Sequence, residues 1–158
     1  MKPIRISKLN IGIFILMMLF PLLGTNGQVQ AATPKVEING ATLSFDVPPT
    51  IENGRILVPL RTVFEKMGAQ VSWDSATATV KAVKGSTVVV LQIGSLTPTI
   101  NGNVKPIDVA GKTVHGRTLA PLRFVCEAFG GTVNWNADTQ TATVKTKQGL
   151  TVGEDKGF

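Results

Sequence analysis

His115 and Cys126 are the chain's one histidine and one cysteine, and there is no tyrosine. A closed zinc or copper site needs three or four converging ligands, and one His, one Cys and four Met offer too few. A side-chain nucleophile needs a base beside it, and the sequence around His115 suggests no Ser or Cys partner. No Asp-x-Asp-x-Asp-Gly run of a calcium loop occurs. The expectation is a protein that is not an enzyme, with no catalytic residue, no metal and no cofactor.

A few side chains remain that could do something other than pack. Arg61 and Glu65, like Arg123 and Glu127, stand four residues apart on predicted helices. The plain reading is a pair of solvent-facing contacts worth about a few tenths of a kcal/mol each. The sharper reading has Arg61 and Arg123 tying their helices to Asp46 and Asp108 in the preceding loops, a geometry suited to the guanidinium fork. Trp73 and Trp135 either stack on the rings of a wall polysaccharide or pack over their own helix beside Val71 and Val133. Phe124 takes the place of Thr62, just off the apolar helix face, where it fills a groove between the two halves or meets a partner. Cys126 faces the expected core and reads as packing.

The elements that must position these residues come in two copies. Gly54 to Trp73, GRILVPLRTVFEKMGAQVSW, returns 62 positions later as Gly116 to Trp135, GRTLAPLRFVCEAFGGTVNW. The match is ungapped from Ile38/Ile100 through Asp74/Asn136, and both copies carry Ile-Asn-Gly followed by Asp-Val. After the Trp a two-residue insertion is expected, so that Thr-Val-Lys closes each copy at a spacing of 64 (Val80 and Val144). A period of this size marks duplication of a supersecondary unit.

Within each copy the local signals agree. Asn39-Gly40 and Asn101-Gly102 sit between alternating apolar and polar residues, the strongest short hairpin signal. Ile51 to Gly54 reads as a loop. Pro59 suits the first helical position, and Leu60, Val63, Phe64 and Met67 form one apolar helix face, stopped by Gly68. Leu122, Val125, Cys126 and Phe129, stopped by Gly130, repeat it. Ser86 to Ile93 is the most strand-like run, apolar enough to be buried on both faces at the junction of the copies. The expected fold class is α+β: tandem ββαββ repeats, each a short helix packed on a twisted antiparallel sheet.

The first residues carry an address. Lys2, Arg5 and Lys8 precede an apolar run of about a dozen residues and a Val-Gln-Ala cleavage signal, predicting a signal peptide cut after Ala31. A retained anchor would need roughly 20 apolar residues. The expected organisation is 1–31 signal peptide, 32–85 first repeat, 86–148 second repeat and 149–158 flexible tail. Loss of the leader takes the net charge from +6 to +3. With no run of Lys and Arg, nucleic acid is an unsupported partner. One cysteine leaves no internal disulfide for an exported chain.

The pattern Gly-Arg-x-Leu-x-Pro-Leu-Arg-x-Val-x-Glu-x-x-Gly, then Val-x-Trp-Asp/Asn, fits Gly54 to Asp74 with Ala69-Gln70 between, and Gly116 to Asn136. It resembles the copper amine oxidase N-terminal, or stalk, domain over essentially the whole chain beyond the leader. The resemblance implies a secreted or surface-attached bacterial module. It implies no oxidase activity, because that chemistry belongs to a separate larger domain whose copper histidines and quinone-forming tyrosine this chain lacks. The expected function is therefore a secreted, non-catalytic structural or interaction module of the cell surface, self-associating through exposed strand edges. The alternative is binding of cell-wall or extracellular polysaccharide through Trp73 and Trp135. The expected partner is a surface protein, a wall polymer or a second copy, with no membrane span once the leader is cut.

Overall fold

The computed structural model describes residues 33–147. The leader expected at 1–31 and the tail expected at 149–158 lie outside the described residues. Thirteen strands and two helices follow in chain order: β1 (Lys35–Ile38), β2 (Ala41–Thr42), β3 (Thr50–Glu52), β4 (Arg55–Pro59), α1 (Leu60–Lys66), β5 (Gln70–Asp74), β6 (Thr79–Lys84) and β7 (Thr87–Gln92). Then come β8 (Thr99–Ile100), β9 (Asn103–Val104), β10 (Lys112–Val114), β11 (Arg117–Pro121), α2 (Leu122–Glu127), β12 (Thr132–Asn136) and β13 (Thr141–Lys145). The described residues are mostly sheet with two short helices, an α+β fold.

Three sheets form, ordered β12-β13-β1-β2, β10-β11-β4-β3 and β5-β6-β7-β8-β9. Each takes strands from both sides of Gly85. The boundary expected at 85/86 falls in the turn of the β6–β7 hairpin, whose strands pair over six residues. The order within each half is not ββαββ, because an additional hairpin precedes each helix. Ile51 to Gly54, expected as a loop, is the end of β3 and the turn into β4. Asn53 and Gly54 adopt φ of 47° and 71°, the pair of positive values that a two-residue hairpin turn demands. His115 and Gly116 do the same between β10 and β11, at 46° and 75°. Histidine is among the few side chains that tolerate this region, so the lone His115 has a turn to make.

The middle sheet holds the two halves together. β4 and β11 pair antiparallel with Ala120 opposite Val58, Leu119 opposite Pro59 and Pro121 opposite Leu57. Residues 62 positions apart thus exchange places about Val58/Ala120, as they would about a twofold axis. Each helix leaves directly from the end of its seam strand. Pro59 and Pro121 are the residues preceding the helices, at ψ of 101° and 121°, rather than their first helical residues. Gly68 and Gly130 follow the helix ends at φ of 83° and 75°.

Successive residues on the seam strands face opposite ways. Val58 and Ala120 join the main core, with Leu60, Val63, Phe64 and Met67 of the first helical segment and Leu122, Val125 and Cys126 of the second. Phe129 packs at its margin, its ring edge-on to Phe64 at 5.2 Å between centroids. The aromatic ring that shifts by one turn between the two helices therefore meets its counterpart. Leu57 and Leu119 point to the other face and close a smaller core with Val47 and Val109. Here is the role of the recurring Asp-Val: its valine plugs the far side of the seam.

The outer sheets correspond as well. In one, β13 and β1 run parallel side by side. In the other, β6 and β8 hold the corresponding places, with β7 inserted between them and antiparallel to each. β7 is central as expected at the junction, but only Val89 and Leu91 on one face are fully buried. The two-residue insertion expected after Trp73/Trp135 is absent. Trp73 pairs with Val80 and Trp135 with Ala142, and the strand-to-strand turns end on Ala78 and Gln140, both with φ near 50°. The spacing stays 62. The Thr-Val-Lys match at 64 is two residues out of register, a slip that keeps every side chain on its face and so leaves the pattern looking alike.

Because every sheet is shared, the halves should not fold apart. Residues 33–85 and 86–147 produced separately are expected to show no cooperative thermal transition by circular dichroism. A folded fragment of either half would contradict the shared-sheet account.

Candidate functional site

Asp46 and Asp108 are tied to arginines, but not to those expected. Arg117 donates from Nε to Asp46 Oδ2 at 2.5 Å. Arg55 donates from Nε and Nη2 to Asp108 Oδ2 at 3.0 and 2.5 Å. Each arginine follows the turn glycine of one half and grips the aspartate of the other. The two ties are crossed, and both cover the seam. Asp46 Oδ1 also accepts from the Val47 amide at 2.9 Å. One dipeptide thus places a valine in the small core and an acid against the opposite hairpin. The Arg117 side chain, more than any other neighbour, holds the Asp46 carboxyl below its ordinary range, outweighing the opposite effect of desolvation.

Arg61 is used otherwise. It donates from Nη1 to the Val71 carbonyl at 3.0 Å and lies 3.5 Å from Glu65. This pins α1 to β5, the strand that carries Trp73. Arg123, its counterpart, makes no ion pair or hydrogen bond among the described residues. The expected ties Arg61–Asp46 and Arg123–Asp108 are not formed. The topology explains why: each aspartate lies against the hairpin that crosses from the opposite half.

The two tryptophans stand in matching grooves. The first, about 650 Å³, is walled by Trp73, Arg61, Leu60 and Pro59 of one half and Gly116 and Arg117 of the other. The second, about 330 Å³, is walled by Trp135, Arg123, Leu122 and Pro121 with Gly54 and Arg55. Every one of these pairs is 62 positions apart. Trp73 is 43 % exposed, while Trp135 is half-buried against the core margin. Of the two readings open for the indoles, packing beside Val71 and Val133 accounts for only part of each ring. They do share a face with Val71 and Val133, but β5 and β12 are edge strands. Each of these strands has a neighbour on one side only, and its indole borders an open groove.

Phe124 cannot meet a partner: it is 4 % exposed and packs in the main core. Cys126 is buried and free, and desolvation with the nearby Glu127 charge pushes its thiol up to about 12. It is packing, not a nucleophile. Among the described residues no three His, Cys, Asp or Glu side chains gather as metal ligands would. No described helix is long and apolar enough to cross a membrane. Arg55 and Arg117 stand in the repeated motif with nothing local to suggest this role. Their one sequence signal is that Gly-Arg recurs as faithfully as Asp-Val, and which pairs with which requires the topology.

Fold and grooves together define a β-rich module with paired aromatic recesses. The copper amine oxidase N-terminal domain family model matches residues 37–144, and the chain belongs to that family. In the oxidases that domain is non-catalytic. The chain is also 28 % identical over 126 residues to a protein from Brevibacillus choshinensis named "Protease inhibitor". The match covers 76 % of this chain and 38 % of that protein, so the chain spans well under half of that relative.

The crossed tie has a pH signature. A carboxyl held below its unfolded value stabilises the native state above the usual carboxylate range, and that contribution fades as pH falls through the depressed native value. Urea unfolding of wild type and Asp46→Asn is expected to differ at pH 7, with the variant weaker, and to converge as pH falls below the depressed native value of the Asp46 carboxyl. Equal midpoints at pH 7 would show that the tie contributes nothing. The buried thiol should react with a disulfide reagent only after unfolding.

Proposed function

We propose that the chain is an exported, non-catalytic binding module of the bacterial cell surface, built from a duplicated unit, whose two grooves hold wall or extracellular polysaccharide. One observation carries this reading: the same indole, proline, leucine and two arginines line a recess twice, at positions 62 apart. A packing role alone would bury Trp73, which is instead 43 % exposed beside an open groove. An aromatic face flanked by a few convergent polar groups is the usual make-up of a small-ligand recess, and sugar rings present the apolar C–H faces that stack on indole. Export rests on the leader read in the sequence, and the family is in keeping with a module that binds and does not react. Self-association through the outer strands β5 and β12 remains the interaction reading of the same architecture.

A second reading comes from the relative's name. A protein that acts as a protease inhibitor does so by binding, and this chain would then dock on a protease. Residual activity of trypsin- and subtilisin-type enzymes at micromolar chain tests it. Full activity throughout counts against it.

For the polysaccharide reading, Trp73→Ala and Trp135→Ala are each expected to weaken binding of soluble wall oligosaccharides about tenfold, on the order of 1.4 kcal/mol. Isothermal titration measures this. Unchanged affinity in both variants would remove the aromatic platform.

A further inference from the structure

The two grooves share a frame but differ in charge and in lining. In the Trp73 groove both arginines are committed, Arg117 to Asp46 and Arg61 to Glu65 and the Val71 carbonyl. In the Trp135 groove Arg55 is committed to Asp108, while Arg123 has no partner among the described residues. The neighbouring hollow of about 110 Å³ that Arg123 also borders holds Lys105 and Glu127 besides the Arg55–Asp108 pair. Counting these groups, two closed pairs leave the first groove balanced, and the second keeps one positive charge in excess. The walls differ in parallel. Thr113 and Thr118 line the first groove where Ile51 and Ile56 line the second, and Ile51 is 50 % exposed.

We propose that the Trp135 groove is specific for a carboxylated sugar, a uronic acid unit of an acidic polysaccharide, with its ring on Trp135 and its carboxylate on the Arg123 guanidinium. This rests on the polysaccharide reading and assigns its ligand class. A uronate carries its charge directly on the pyranose ring. It therefore suits an indole and an open guanidinium fixed on one groove wall, whereas a phosphodiester places its charge away from the ring. A planar guanidinium binds a carboxylate through two parallel N–H···O bonds, and the isoleucine-lined wall lowers the competition from water. The Trp73 groove, with its hydroxyl-bearing wall and no free cation, takes a neutral unit of the same polymer.

The test is isothermal titration of the purified protein with trigalacturonate, its methyl ester and a glycerol phosphate trimer. The acid is expected to bind at least tenfold tighter than the ester, and its affinity to fall as salt rises. Arg123→Gln should bring acid and ester to equal affinity and remove the salt dependence that goes with the acid's advantage. Lys66→Gln, which deletes an exposed charge at the other helix, should keep it. Acid and ester bound equally, an Arg123→Gln variant that still prefers the acid, or the phosphate trimer bound as tightly as the acid would each overturn the proposal while leaving polysaccharide binding standing. Binding of no saccharide at all would overturn both.

Discussion

The antiparallel contact of β4 with β11 is the constraint from which the rest of the molecule follows. It consists of three residue pairs centred on Val58 and Ala120. Because both strands end in Pro and each helix begins at the following Leu, both helices start at the seam and lie against the same core. Because side chains alternate across the seam, Leu57 and Leu119 need cover on the far side, and Val47 and Val109 supply it. The loops that bring those valines also bring Asp46 and Asp108 to the arginines of the opposite hairpins. These ion pairs are exposed, and exposed pairs contribute little to stability. Their consequence is positional: each holds a Gly-Arg corner against the opposite half, where it forms one wall of a groove.

Each groove is thus a product of both halves. The helix end and the tryptophan come from one, the hairpin corner from the other. A half on its own would have an indole with nothing facing it. That dependence links the sharing of sheets to function, since whatever occupies the grooves senses the assembled pair.

Much of this was legible from residues. The helices, their buried faces, the stop glycines and the two Asn-Gly hairpins follow from local periodicity and backbone preference, and those are short-range properties. Asn53-Gly54 carries the same hairpin signal, but the strand before it is only three residues long and exposes Ile51, too short for alternation to mark it in the sequence. The corresponding turn at His115-Gly116 hid behind an unusual residue. What local pattern could not show is which strand meets which. The parallel β1–β13 contact joins segments over a hundred residues apart. The exchange of aspartate partners from Arg61 and Arg123 to Arg117 and Arg55 follows from that topology. The tryptophans illustrate the remaining limit: alternation puts each on one face of its strand with a valine, but that both strands lie at sheet edges beside a groove is a matter of topology.

The grooves as binding faces can be tested residue by residue, because the chain has two tryptophans, one in each. In a proton–nitrogen correlation spectrum their two indole N–H resonances report the grooves separately. Titration with a polysaccharide fragment that the protein binds is expected to shift both, together with amides of the Gly54-Arg55 and Gly116-Arg117 corners. Binding that leaves both indole resonances in place while other surfaces shift would contradict the account.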